Sequence, residues 1–202
     1  KGVEFVEHCR LQTVRRSGSC ITALETSQGE MTADHYVFAT GAWSRLLASE
    51  LDCKIPVEPG KGYSITMSKP EVCPKHPMLF PEHHIGITPF DDSYRIGSMM
   101  EFSGFDTTIP PQRMEQLRAF ARPYLKFPTG ARVEETWYGW RPMTWDSLPI
   151  VGRVPGLKNA FLATGHNMLG LSLAPVTGKL IAELIQEQPA HIGVEAFSPD
   201  RF

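Results

Sequence analysis

The chain has 202 residues, enough for one sizeable domain or two smaller lobes. With 42% hydrophobic and 21% charged residues it has the balance of a globular protein, and a formal net charge of −2 gives no electrostatic grip on nucleic acid. The four cysteines, Cys9, Cys20, Cys53 and Cys73, form no CxxC pair, which speaks against a zinc or iron–sulfur site; they read as thiols dispersed in a reducing compartment, with a disulfide between distant positions as the alternative.

In chain order, KGVEFVEHCRL has neither an initiator methionine nor a signal-peptide pattern, and it reads as the middle of a fold, so a fragment is expected. Val3 and Phe5, then Ile21, Ala23 and Leu24, fall in runs broken by Ser17-Gly18 and Gln28-Gly29, predicting a meander of hairpins over 3–40. Tyr36 to Ala39 is a short apolar run, a buried strand that stops at Thr40-Gly41, with a short helix through Trp43, Leu46 and Leu47. KGYSITM alternates as a half-buried strand, and Pro70, Pro74, Pro77 and Pro81 mark a loop over 69–81. Strands follow at His84–Thr88 and Tyr94–Met99 around the turn pair Asp91-Asp92.

After Pro110-Pro111, Met114, Leu117, Ala121 and Tyr124 share one helical face. Residues 132–140 read as a strand leading into GWRPMTWDSLPIVG. The stretch from Asn159 to Gly178 carries no formal charge and is as long as a membrane span, but its Asn, His, Gly and Pro residues fit a buried strand, a loop and a helix start better. Leu173, Val176, Leu180, Ile181, Leu184 and Ile185 then form a helical stripe, and Pro175 places the helix start near Ser172 or Leu173.

Three features could carry chemistry. In FATGAW a strand ends in small residues that would let a ligand reach the backbone, although a plain strand-to-helix turn explains it as well. In ATGHNMLGLSLAP, Gly165 and Gly170 bracket a polar loop before a helix whose N-terminus would favour negative charge; an ordinary buried helix start is the alternative, with His166 a structural histidine. Arg141 lies between Trp140 and Pro142, and its fork of donors suits a carboxylate; the alternative is an Arg stacked on tryptophan and paired with Asp146. There is no GxGxxG, since GKGYSI at 60–65 lacks the third glycine, and no GxSxG, HExxH or P-loop.

In order, VFATGAW, KGYSIT, RIGSMMEFSGF, GWRPMTWDSLPIVG and ATGHNMLGLSLAPVTGKLIAELI resemble the C-terminal half of the D-amino-acid-oxidase family of FAD-dependent oxidoreductases, and within it the bacterial quinone-linked branch. The resemblance implies oxidative deamination of D-amino acids to keto acids and ammonia, with electrons passed to a quinone or other respiratory acceptor. An oxygen-using oxidase of the same family, or a non-catalytic module keeping the fold, is the alternative. It implies that Arg141 binds the substrate carboxylate, with His84 and Met100 lining the pocket. FAD, non-covalent because no cysteine lies near Arg141, would meet Ala39, Gly41, Ala42 and Trp43 on one side. Gly165, His166, Asn167, Met168, Leu169 and Gly170 would lie along its pyrimidine ring. Gly86 stands where glycine oxidase carries an active-site tyrosine, and Thr144-Trp145-Asp146-Ser147 replaces the usual Thr-Pro-Asp-Gly turn, so Trp145 would reshape the pocket wall.

The expected fold is α+β. A mostly antiparallel substrate-binding sheet with one helix occupies 51–140, and residues 1–50 and 141–202 form the β-meander, strands and C-terminal helix of a split FAD-binding lobe. FAD binding is expected to require the N-terminal Rossmann half. No metal site is expected. The full enzyme would be cytoplasmic, or peripheral on the inner face of the cytoplasmic membrane.

Overall fold

A computed structural model describes residues 2–202. The chain folds into two compact units, one built from Lys1–Glu58 with Pro142–Phe202 and the other from Pro59–Arg141. The fold class is α+β with mostly antiparallel sheets.

In the first unit, β1 (Leu11–Ser17), β2 (Cys20–Thr26) and β3 (Gly29–Met31) form an antiparallel meander in that order. Gly18, at φ +57°, supplies the left-handed backbone of the β1–β2 turn. The meander starts at Leu11, later than expected. Val3 and Phe5 are 71% and 85% exposed and belong to no strand, because no partner strand covers them and two apolar residues cannot hold an extended segment alone. A second sheet has the order β10 (Ile150–Arg153), β11 (Ala160–Thr164), β4 (Tyr36–Phe38). β10 pairs antiparallel with β11, and β11 pairs parallel with β4.

Side chains alternate across this second sheet with period two. Ile150, Leu162, Tyr36 and Phe38 point to a core shared with Val14 and Ile21 of the meander and with Leu51 of the short helix α1 (Ala48–Leu51). Val151 and Phe161 point the other way, onto Leu180 and Ile181 of α2 (Gly170–Ile185). Asn159 binds the meander to this sheet: its Oδ1 accepts from the Ile21 N–H at 2.9 Å and its Nδ2 donates to the Ile21 carbonyl at 2.9 Å. The helix α2 begins before Ser172, contrary to expectation, and Pro175 lies inside it. Pro175 removes only the bond to the Leu171 carbonyl, close to an end where the side chains are exposed, so the helix runs through it.

In the second unit, the sheet order is β6 (Met78–Phe80), β7 (Ile85–Pro89), β8 (Ser93–Glu101), β5 (Val57–Ser68), β9 (Val133–Thr144). The helix Pro111–Ala121 packs Met114, Leu117 and Ala121 against Tyr63, Ile65, Ile85, Ile87 and Ile96. Pro111 starts it, where a missing N–H costs nothing. Three expectations change here. β5 is buried on both faces rather than half-buried: Tyr63, Ile65 and Met67 pack into the core with the helix residues Met114, Leu117 and Ala121, while Thr66 is covered by the side chains of Arg95 and Glu135 that bond it. The proline-rich stretch yields a short edge strand, Met78–Phe80, whose residues pair with β7. GWRPMT continues β9 rather than following it, so Arg141 is a strand residue.

Candidate functional site

Arg141 lies near the end of β9 beside β5, half-buried. Its Nη1 donates to the Met99 carbonyl at 3.1 Å. Burial pulls the guanidinium down from its ordinary value. Among the described residues no carboxylate pairs with it. The alternative pairing with Asp146 is overturned, because Arg201 Nε holds the Asp146 Oδ2 at 2.9 Å. Burial would raise the Asp146 carboxyl, but the bonds from Arg201 and the Leu148 N–H leave it below the ordinary carboxylate range. Trp140, next to Arg141, turns edge-on to Tyr138 and Phe105, with centroids 5.2 and 5.5 Å away.

Sequence reasoning passed over Lys61, on the neighbouring strand β5. It is fully buried, and its Nζ donates to Asp106 Oδ2 at 2.8 Å and to the Thr108 carbonyl at 2.6 Å. The rings of Tyr63 and Tyr138 lie 5.2 and 5.0 Å from it. Burial alone would lower the ammonium, yet hydrogen bonding to Asp106 and Tyr63 raises it overall, so it stays charged. The Lys61 bond in turn holds Asp106 down to about 2. Nothing in KGYSIT marks this lysine as buried; the remote Asp106 and Thr108 make its burial tolerable.

Met100 follows Met99 on β8 and is exposed. His84 is exposed, in the left-handed region at φ 50°, and its carbonyl accepts from Ser98 Oγ at 2.8 Å, one residue before Met99. Gly86 is on β7 opposite Leu79 and Gly97. Trp145 belongs to the first unit, is 77% exposed and stands edge-on to Phe202 at 6.2 Å in a groove shared with Lys54, Ile55, Pro56 and Arg201.

The predicted cofactor residues lie in the first unit. The parallel strands β4 and β11 end side by side, so the loops that leave them start from the same sheet edge. Ala39 is exposed, Gly41 has φ +56° with open space at its Cβ position, Ala42 is buried and Trp43 is exposed. A chain of hydroxyls joins the two loops: Thr40 Oγ1 to Ser44 Oγ at 2.9 Å, Ser44 Oγ to Thr164 Oγ1 at 2.7 Å, and Thr164 Oγ1 donating to the Gly41 carbonyl at 3.1 Å. Thr164 and Ser44 were not singled out from sequence. Hydroxyl residues at strand ends are too common to stand out until the parallel pairing places them together.

Beyond β11, Gly165 has φ +72°, and a Cβ there would come within 2.7 Å of Thr144 Cγ2. His166 Nε2 bonds Thr177 Oγ1 at 2.9 Å, and burial lowers its pKa, so the ring is held neutral. Asn167, at φ 53°, ties the loop down: its N–H donates to the Pro142 carbonyl at 3.1 Å, its Oδ1 accepts from the Thr144 N–H at 3.0 Å, and its Nδ2 donates to the Gly165 carbonyl at 3.0 Å. Met168 and Leu169 are exposed, and Gly170 opens the helix α2 with no side chain capping its N-terminus. Its first N–H groups have no intrahelical partner. Among the described residues no cluster of His, Cys, Asp or Glu could hold a metal, and no helix is long and apolar enough to cross a membrane.

With this geometry in view, comparison with known proteins places the chain. It is 34% identical over 206 residues to the D-amino acid dehydrogenase of Neisseria gonorrhoeae, covering 100% of the chain and 48% of that protein. The Vibrio atlanticus D-amino acid dehydrogenase is also 34% identical, over 203 residues, with the same coverage of 100% and 48%. The chain thus spans about half the length of the curated relatives it matches. Among solved structures, glycine oxidase from Geobacillus kaustophilus superposes with a TM-score of 0.89 at 26% identity, over 98% of this chain and 53% of that one. L-proline dehydrogenase from P. horikoshii gives 0.85 at 25% identity, over 100% and 55%. Residues 1–184 match the DAO family, described as FAD dependent oxidoreductase, and the chain belongs to that family.

Proposed function

We propose that the full-length protein is an FAD-dependent dehydrogenase that oxidises D-amino acids to keto acids and ammonia and passes the electrons to a quinone-type acceptor. The observation that carries this reading is Arg141: a half-buried guanidinium with one backbone bond and no carboxylate partner among the described residues, in a chain similar throughout to two D-amino acid dehydrogenases.

The residues of the first unit fit FAD. Gly41 has open space where a side chain would be, and the uncapped N-terminus of α2 offers N–H groups and a favourable dipole to an electron-rich ring. Ala39, Gly41, Ala42 and Trp43 would hold the nucleotide side, and Gly165 to Gly170 the ring side. The part of the relatives' length that this chain does not span would supply the rest of the site, so residues 1–202 alone would bind FAD weakly. When bound, FAD supplies the two-electron acceptor.

The work of this chain's own residues is positioning. Arg141 would receive the substrate carboxylate through paired N–H donors and fix the direction of the α-hydrogen. His84 and Met100 would line the pocket, and Trp145 would set its range. His166 has its Nε2 engaged by Thr177, and burial weakens the ring as a proton acceptor, so it is not offered as a base; an amine that binds neutral needs none. Full-length protein assayed with D- and L-amino acids, a dye acceptor and oxygen tests the reading. It predicts D-selective dye reduction with little oxygen uptake. The likeness to glycine oxidase favours one competing reading, an oxygen-using oxidase, and stoichiometric oxygen consumption would select it.

A further inference from the structure

On β5, Gly62 stands between Lys61 and Tyr63 with an ordinary strand backbone, so its conformation does not require glycine. Space does. A Cβ built there would lie 2.5 Å from Arg141 Nη2 and 2.6 Å from Cζ, and closer still to Nη1. The guanidinium occupies the volume that any side chain at this position would take.

The partner strand departs from regularity at the same place. Lys61 pairs with Glu101 and Tyr63 with Ser98, so Met99 and Met100 together face the single residue Gly62, a β-bulge. Met99 has φ 75°, which turns its carbonyl out of the ladder. That carbonyl is the acceptor for Arg141 Nη1 at 3.1 Å. A missing side chain on one strand and a bulge on the next therefore converge on one guanidinium. Nε and Nη2 keep no bond to any described residue, and they form one edge of the fork.

We propose that Gly62 and the Met99 carbonyl form a seat for the Arg141 guanidinium and leave its Nε–Nη2 edge to take the substrate carboxylate, so that both are positioning residues for substrate binding. This rests on the reading of Arg141 as the carboxylate anchor. The atoms in the way of a Cβ are the far end of a flexible side chain, so Gly62→Ala displaces the guanidinium and leaves β5 in place.

The test uses the full-length flavoprotein with D-alanine, D-methionine and D-phenylalanine and a dye acceptor. KM and kcat are measured for Gly62→Ala, Arg141→Ala and the double variant, with flavin content and melting temperature alongside. Gly62→Ala is expected to raise KM about tenfold or more, the loss of one charge-assisted contact, while kcat stays within about threefold. Added to Arg141→Ala, it should change KM by less than about twofold, because its effect passes through the arginine. An unchanged KM in Gly62→Ala beside a raised KM in Arg141→Ala overturns the seat and leaves the anchor standing. An unchanged KM in Arg141→Ala overturns the anchor itself. An equal loss in both backgrounds makes Gly62 a general structural residue and overturns the seat. If Gly62→Ala fails to fold, folding of the double variant supports the clash with Arg141, and failure of both assigns Gly62 to the sheet alone.

Discussion

Asn167 holds the loop that would face the flavin, and replacing it by alanine removes a definable set of bonds. Its Oδ1 satisfies the Thr144 N–H at 3.0 Å, and its Nδ2 reaches the Gly165 carbonyl at 3.0 Å and Thr144 Oγ1 at 3.2 Å. A net hydrogen bond contributes about 1 kcal/mol, and these partners are only partly buried, so water recovers some of the loss and about 2 kcal/mol remains. Alanine must also adopt the left-handed backbone of Asn167, φ 53°, which costs roughly 1 kcal/mol. Asn167→Ala should therefore destabilise the first unit by about 2–3 kcal/mol, a fall in the melting temperature of the full-length protein of roughly 2–4 °C. Asn167→Gly loses the same bonds without the backbone strain and should be less damaging by about 1 kcal/mol. Thermal melts of full-length protein, with and without excess FAD, measure both variants and separate fold stability from cofactor binding. A melting temperature for Asn167→Ala within about 1 °C of wild type, or Asn167→Gly worse than Asn167→Ala, refutes the account of this loop.

Gly165→Ala places a Cβ 2.7 Å from Thr144 Cγ2 at φ +72°, and strain plus overpacking should cost about 2–4 kcal/mol in urea denaturation of the full-length protein. Asp106, held down to about 2 against an ordinary 3.8, contributes stability that is complete above pH 3.8 and is lost as pH falls through about 2. Asp106→Asn should accordingly melt lower than wild type at neutral pH, with the gap narrowing between pH 4 and 2; a gap independent of pH would exclude the Lys61–Asp106 pair as its source. Trp145→Ala, at an exposed turn with one edge contact to Phe202, should change stability by less than about 1 kcal/mol while shifting the order of preferred D-amino acids. An unchanged order would remove Trp145 from the pocket.

What could be read from the chain alone was what local periodicity encodes. Met114, Leu117 and Ala121 mark their helix because their spacing alone puts them on one face, and all three are buried. The apolar run from Tyr36 likewise marks its strand, although only Tyr36 and Phe38 are buried and Val37 between them is exposed. Properties set by distant partners did not show. Val3 and Phe5 have strand-like residues but no strand beside them. The burial of both faces of β5 depends on a remote helix and on the side chains of Arg95 and Glu135. Arg141 could be isolated as a candidate cation, but its freedom from Asp146 was settled by Arg201, sixty positions along and invisible to any local pattern. Gly62 gave no signal, because its reason is a side chain arriving from another strand.

The central claim is that Arg141 anchors the carboxylate of a D-amino acid, and anaerobic stopped-flow reduction of the flavin in full-length protein tests it most directly. The rate of bleaching is followed against D-amino acid concentration in wild type and Arg141→Met. Charge-assisted hydrogen bonds contribute about 1.5–3 kcal/mol each, so the account predicts an apparent Kd at least about tenfold higher in the variant. Bleaching by D-amino acids with the same apparent Kd in both proteins would contradict it.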